Sequence, residues 1–97
     1  MYILHVTYKV KAGQMDNWLA RLKEIDIVRK SLDEPGAVQY RYYRPLEGGN
    51  ELFLLEMWDS VEAQKEHTMS PHFKELAAAK AEFIEETVIE DFVIPER

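Results

Sequence analysis

Residues 52–58 read Leu52-Phe53-Leu54-Leu55-Glu56-Met57-Trp58, a strand with almost no side left for water. Successive strand side chains point to opposite faces. Leu52 and Leu54 therefore cover one face, and Phe53, Leu55 and Met57 the other. The last apolar segment repeats the pattern, with Val88, Phe92 and Ile94 opposing Ile89 and Val93. A sheet of such strands needs cover on both faces. The chain has 97 residues, which suits one domain spanning residues 1–97 with a modest core. Its helices can cover one sheet face only. An apolar face of that size marks an interface, and a homodimer with sheet packed on sheet is the economical solution.

The periodicity along the chain supplies the other elements. Tyr2 to Val10 alternates with a period of two and reads as a strand. From Gln14 to Leu32 the residues Met15, Trp18, Leu19, Leu22, Ile25 and Val28 recur at helical spacing, until Pro35-Gly36 stops the helix. Val38 to Arg44 is a tyrosine-rich strand, and Glu47-Gly48-Gly49-Asn50 is a hairpin loop leading into Leu52 to Trp58. Asp59 or Ser60 caps a short helix. Ser70-Pro71 starts a second, with Ser at the cap and Pro in the first turn. Phe73, Leu76, Ala77, Ala81 and Ile84 form the expected inner face of that helix, and Thr87 to Ile94 returns to strand. The order β-α-β-β-α-β is the ferredoxin-like split arrangement, an α+β fold with an antiparallel sheet.

Composition narrows the function. The formal net charge is -6 and no Lys/Arg cluster offsets it, so nucleic acid is not an expected partner. There is no cysteine, which removes disulfides, thiolate catalysis and cysteine metal sites and fits a cytoplasmic location. The N-terminus lacks the basic region and cleavage site of a signal peptide. No apolar run reaches the roughly 20 residues of a membrane helix. Neither a phosphate-binding loop nor a dinucleotide fingerprint occurs, so no nucleotide or flavin cofactor is expected.

Proton chemistry has few candidates. His72 sits in the first turn after Ser70-Pro71, where free N–H groups and the helix dipole oppose a positive charge. A neutral imidazole there suits a general base, and the bland alternative is a surface histidine. His67 lies five residues earlier, at the end of the short helix. Two histidines fall short of the three or four ligands a metal site needs, so no metal is expected. Trp58 and Glu56 share one strand face, as a pocket wall or as core. A buried Glu56 would need a partner, from Arg41, Arg44 or a histidine. His5 lies on the strand face opposite Leu4 and Val6. Tyr40, with Tyr8, Tyr42 and Tyr43, adds aromatic lining or core.

The run Glu56-x-Trp58-x-Ser60-x-Glu62-Ala63-x-x-x-His67-x-x-Ser70-Pro71-His72-Phe73 resembles the antibiotic biosynthesis monooxygenase family. Lys11-Ala12-Gly13, Glu34-Pro35-Gly36 and the segment Tyr40 to Arg44 extend the resemblance over nearly the whole chain. It implies a dimeric α+β barrel of ferredoxin-like protomers. It also implies oxidation of a small phenolic or quinol-like substrate by O₂ without metal or flavin, the substrate anion supplying the electrons. His67 and His72 match the family's histidines and are the implied catalytic residues. Trp58 matches its pocket tryptophan; Glu56, His5, Tyr40 and Phe73 are the further substrate-binding candidates. The strand-one asparagine of some members has no counterpart, His5 and Thr7 standing nearby. The family also contains an isomerase of a phosphorylated quorum-sensing sugar derivative and haem-degrading enzymes. An isomerase of a small carbonyl compound, or a non-catalytic dimeric binding or stress-response module, are thus the alternative functions.

Overall fold

The computed structural model describes residues 1–95. Its elements run β1 (Tyr2–Val10), α1 (Met15–Ile25), α2 (Ile27–Leu32), β2 (Ala37–Tyr43), β3 (Glu51–Trp58), α3 (Val61–His67), α4 (Pro71–Phe83) and β4 (Ile84–Val93). The strands form one sheet in the order β2-β3-β1-β4, antiparallel throughout. This is the expected ferredoxin-like α+β fold.

Register explains which side chains meet. Leu4, Val6 and Tyr8 on β1 stand opposite Glu56, Leu54 and Leu52 on β3, and all six are buried beneath the helices. The intervening residues Ile3, His5 and Thr7 stand opposite Met57, Leu55 and Phe53 on the face that no helix covers. On β4 both faces are open: Phe92 is 54% exposed and Ile89 56%.

The first helical stretch is not continuous. Asp26 adopts a left-handed conformation (φ 59) and divides it into α1 and α2. A short polar side chain tolerates that conformation better than most, and the Asp26 carboxylate accepts a bond from Arg29 Nε. The break rotates the following turn, so Ile27 and Ser31 are buried while Val28 is exposed. Similarly, α4 buries Leu76, Ala79 and Phe83, where periodicity selected Ala81 and Ile84. The chain leaves α4 at Phe83 for β4, which makes Ile84 a strand residue.

Pro35-Gly36 does more than end α2. The Asp59 N–H donates to the Gly36 carbonyl at 2.8 Å, tying this loop to the end of β3. At Gly36 (φ +84) an added Cβ would lie 2.5 Å from Asp59 Oδ1 and 2.7 Å from Ala63 Cβ. Gly36→Ala is therefore expected to cost roughly 2–4 kcal/mol in urea unfolding, from backbone strain plus overpacking against α3. Gly13→Ala, also at positive φ but with nothing within 4 Å, should cost only about 1–2 kcal/mol. Equal losses for the two would refute the close-approach explanation.

Candidate active site

Two serine caps fix the starts of α3 and α4. Ser60 Oγ accepts from the Ala63 N–H at 3.1 Å. Ser70 Oγ accepts from the Phe73 N–H at 3.2 Å and donates to the His67 carbonyl at 2.7 Å. One hydroxyl thus sets the backbone positions of His67 and Phe73 together.

His67 is 1% exposed and sits in an aromatic cage. Trp58, Phe73, Tyr40 and His72 have ring centroids 4.8, 5.3, 5.6 and 5.8 Å from its own. Its Nδ1 lies 2.6 Å from Glu34 Oε2, and His72 Nε2 lies 2.8 Å from the same oxygen. A carboxylate only accepts, so both imidazoles present N–H groups to Glu34. His67 Nε2 has no hydrogen-bond partner among the described residues and lies 4.0 Å from Glu56 Oε1. That same Glu56 oxygen accepts from Trp58 Nε1 at 3.1 Å.

Glu56 faces a cavity of about 210 Å³ between the sheet and the helices. Leu4, Val6, Tyr8, Phe73 and Leu76 form its apolar wall; Gln64, Thr68 and Lys80 add polar groups. Burial pushes the Glu56 carboxyl up to about 7, opposed by the Trp58 hydrogen bond. Burial likewise pushes the His67 imidazole down, against the pull of Glu34, and lowers Lys80 against the attraction of Glu56. A larger groove of about 370 Å³ beside Leu19, Leu22, Ile27 and Tyr42 carries only Lys23 and Asp26 as charged groups. It holds no histidine or buried carboxylate, so the smaller cavity is the chemical candidate.

Glu34, His67 and His72 bring three donor atoms within 4.8 Å of one another. Ligand atoms sharing one ion at about 2.1 Å stand roughly 3.0–3.4 Å apart. The two contacts to Glu34, 2.6 and 2.8 Å, are shorter than that and have hydrogen-bond length.

Thus Trp58, Tyr40, Phe73, His67, His72 and Glu56 converge. Of these only Glu56 and Phe73 wall the cavity; His67, Trp58, Tyr40 and His72, which engages Glu34, are not among its lining residues. His5 is separated from the group by the sheet: it packs on Phe53 at 5.5 Å and faces Glu90 at 3.8 Å on the uncovered side. Alternation along β1 dictates this, because Leu4 and Val6 occupy the inner face. Two site residues escaped the sequence reading. Lys80 continues the Phe73, Leu76, Ala77 stripe at the next helical position, so its signal was a cation in an apolar row. Glu34 meets its histidines 33 and 38 residues away; Glu34-Pro35-Gly36 was visible as a motif, without a role.

A family model described as antibiotic biosynthesis monooxygenase matches residues 1–79. The chain belongs to this family. Solved structures agree on the fold of this monooxygenase-family protein. A conserved protein from Methanosarcina mazei Go1 is 28% identical, with 95% of this chain and 91% of that one covered and a TM-score of 0.83. Rv0793 from Mycobacterium tuberculosis is 21% identical, with coverage of 99% and 96% and a TM-score of 0.86. PA3566 from Pseudomonas aeruginosa is 18% identical, with coverage of 98% and 94% and a TM-score of 0.86. No curated protein matches the chain. Among the described residues, no helix is long and apolar enough to cross a membrane.

Proposed function

We propose that the protein is a cofactor-independent monooxygenase that oxidises a single-ring phenolic or quinol-like substrate with O₂. The observation that carries this reading is Glu56, a carboxyl held at about 7 in the wall of a largely apolar cavity. An engineered cavity of about 150 Å³ accommodates benzene, so about 210 Å³ suits one substituted ring. The substrate hydroxyl gives its proton to Glu56, backed by His67. Lys80, the cation on the cavity wall, stands by the anion that results. The anion passes electrons to O₂. One oxygen atom becomes a new ring carbonyl and the other leaves as water, so phenol plus O₂ gives quinone plus water. Trp58, Tyr40 and Phe73 hold the proton-accepting groups in place, and His72 acts through Glu34.

The uncovered sheet face, with Ile3, Phe53, Leu55, Met57, Val88 and Phe92, supports a homodimer as the working form. The same acid–base pair would also serve an isomerase that moves a proton beside a carbonyl, with Lys80 as its anion partner. Such an enzyme consumes no oxygen.

An oxygen electrode and a panel of monocyclic phenols and dihydroquinones test the proposal. Uptake should occur with at least one of them and should survive dialysis against EDTA. Loss of uptake that a divalent ion restores would defeat the cofactor-independent reading. Isomerisation of a small hydroxy-carbonyl compound without uptake would establish the alternative.

A further inference from the structure

We propose that Glu34 makes His67 a second proton acceptor standing behind Glu56, so that the cavity can store two protons during one turnover. The inference rests on the reading that this cavity takes the acidic hydroxyl of the substrate.

The chemistry asks for two acceptors. Converting a phenol to a quinone removes one proton from oxygen and one from a ring carbon. Both end on the oxygen atom that leaves as water. Between removal and return they need somewhere to stay, and a cavity walled largely by Leu4, Val6, Tyr8, Phe73 and Leu76 offers little water to take them. Glu56 is the first acceptor.

His67 has the geometry of the second. Its Nδ1–H donates to Glu34 Oε2 at 2.6 Å, which fixes the tautomer and leaves Nε2 as a bare lone pair. That nitrogen is buried, unpartnered and 4.0 Å from Glu56 Oε1. A small shift of the Glu56 carboxyl closes the gap to hydrogen-bond length. The ring cannot turn over without breaking the Glu34 bond inside its cage of Trp58, Tyr40 and Phe73. His72 Nε2–H donates to the same Glu34 oxygen at 2.8 Å and keeps the carboxylate aimed.

The transfer balances without any change of oxidation state. The Glu56 carboxylate takes the hydroxyl proton and passes it to His67 Nε2. The products are a substrate anion, a restored Glu56 carboxylate, and a His67 imidazolium paired with the Glu34 carboxylate. Glu56 is then free for the ring proton, and both protons return to the departing oxygen. Glu34 touches no substrate atom; it is a positioning residue.

Nitrogen-15 NMR of the imidazoles in the intact protein tests this in two steps. In the ligand-free wild type, His67 should show a protonated Nδ1 and a bare Nε2. Glu34→Gln should mix the tautomers, and Glu34→Asp should restore the single one. A protonated Nε2 in the free wild type overturns the proposal. In the second step 3-nitrophenol, a weaker acid than its 4-isomer, serves as a coloured single-ring probe. Wild type should bind it as the yellow anion just above pH 7, where Glu56 is a carboxylate and the free probe is still mostly neutral, and His67 Nε2 should shift to its protonated position. Glu34→Gln should bind the neutral, colourless form. A bound probe with His67 Nε2 still bare overturns the proposal. Failure of the wild type to bind any monocyclic phenol overturns instead the assignment of the cavity as substrate site.

Discussion

Glu56→Gln should lower oxygen-dependent turnover by about 10²–10⁴-fold, the range that a general base contributes. The amide keeps an oxygen for the Trp58 N–H, so the wall of the cavity is retained while its proton acceptor is lost. The pH dependence is the sharper readout. Glu56 must be a carboxylate to accept the hydroxyl proton, and its carboxyl titrates near 7. Wild-type turnover should therefore climb as pH rises through about 7, and the residual turnover of Glu56→Gln should lack that limb. Stability should move the opposite way. A carboxyl raised from 4.5 to about 7 binds its proton more tightly in the folded state. The folded protein is then penalised as pH rises from about 4.5 to 7, by roughly 3 kcal/mol once fully ionised. Glu56→Gln removes that penalty. The variant should unfold at a higher temperature than wild type at pH 8, with the difference gone below pH 4.5. A variant that is less active yet no more stable at pH 8 would show that Glu56 is not the buried, strained carboxyl described here.

Leu55→Lys should take the proposed dimer apart. Leu55 lies on an inner strand, between His5 and Arg41 in register, at the middle of the uncovered sheet face. In a two-fold interface the substitution is felt twice. A lysine there faces Arg41 with no counter-charge directly opposite it and costs at least about 3 kcal/mol each time, and about 6 kcal/mol corresponds to a weakening of roughly 10⁴-fold. Sedimentation of wild type at micromolar concentration should give about twice the 11.4 kDa chain mass. The variant should sediment as a single chain with a lower unfolding midpoint, because the apolar face then meets water. A wild-type monomer at that concentration, or a variant that stays dimeric, would show that this face is not the interface.

The two-faced strand at residues 52–58 was legible at once, since strand side chains alternate whatever the fold. The cap at Ser70 was legible, and the earlier one to within Asp59 or Ser60, because a cap is a contact over three residues. The order of the elements limited the topology to one compact choice. Local periodicity failed where the chain changed direction. Asp26 carries no strong break signal, yet its left-handed turn exchanged Val28 for Ile27 in the core. The end of α4 was misplaced in the same way, and Ala79 and Phe83 took the buried positions expected of Ala81 and Ile84.

From the sequence came the four strands in outline, the starts of α1, α3 and α4, the uncovered sheet face and the segment from Glu56 to Phe73 that carries most of the candidate site. Local spacing is enough for those, because each depends on neighbours within a turn or two. What the groups do to one another depends on packing between segments remote in the chain, and the fold supplies it. It placed His5 on the far side of the sheet and put Lys80 on the wall of the same cavity as Glu56. It also brought Glu34 across 33 residues to His67 and 38 to His72. Burial and hydrogen bonding set the proton affinity of a carboxyl or an imidazole, and those are fixed by packing between segments remote in the chain.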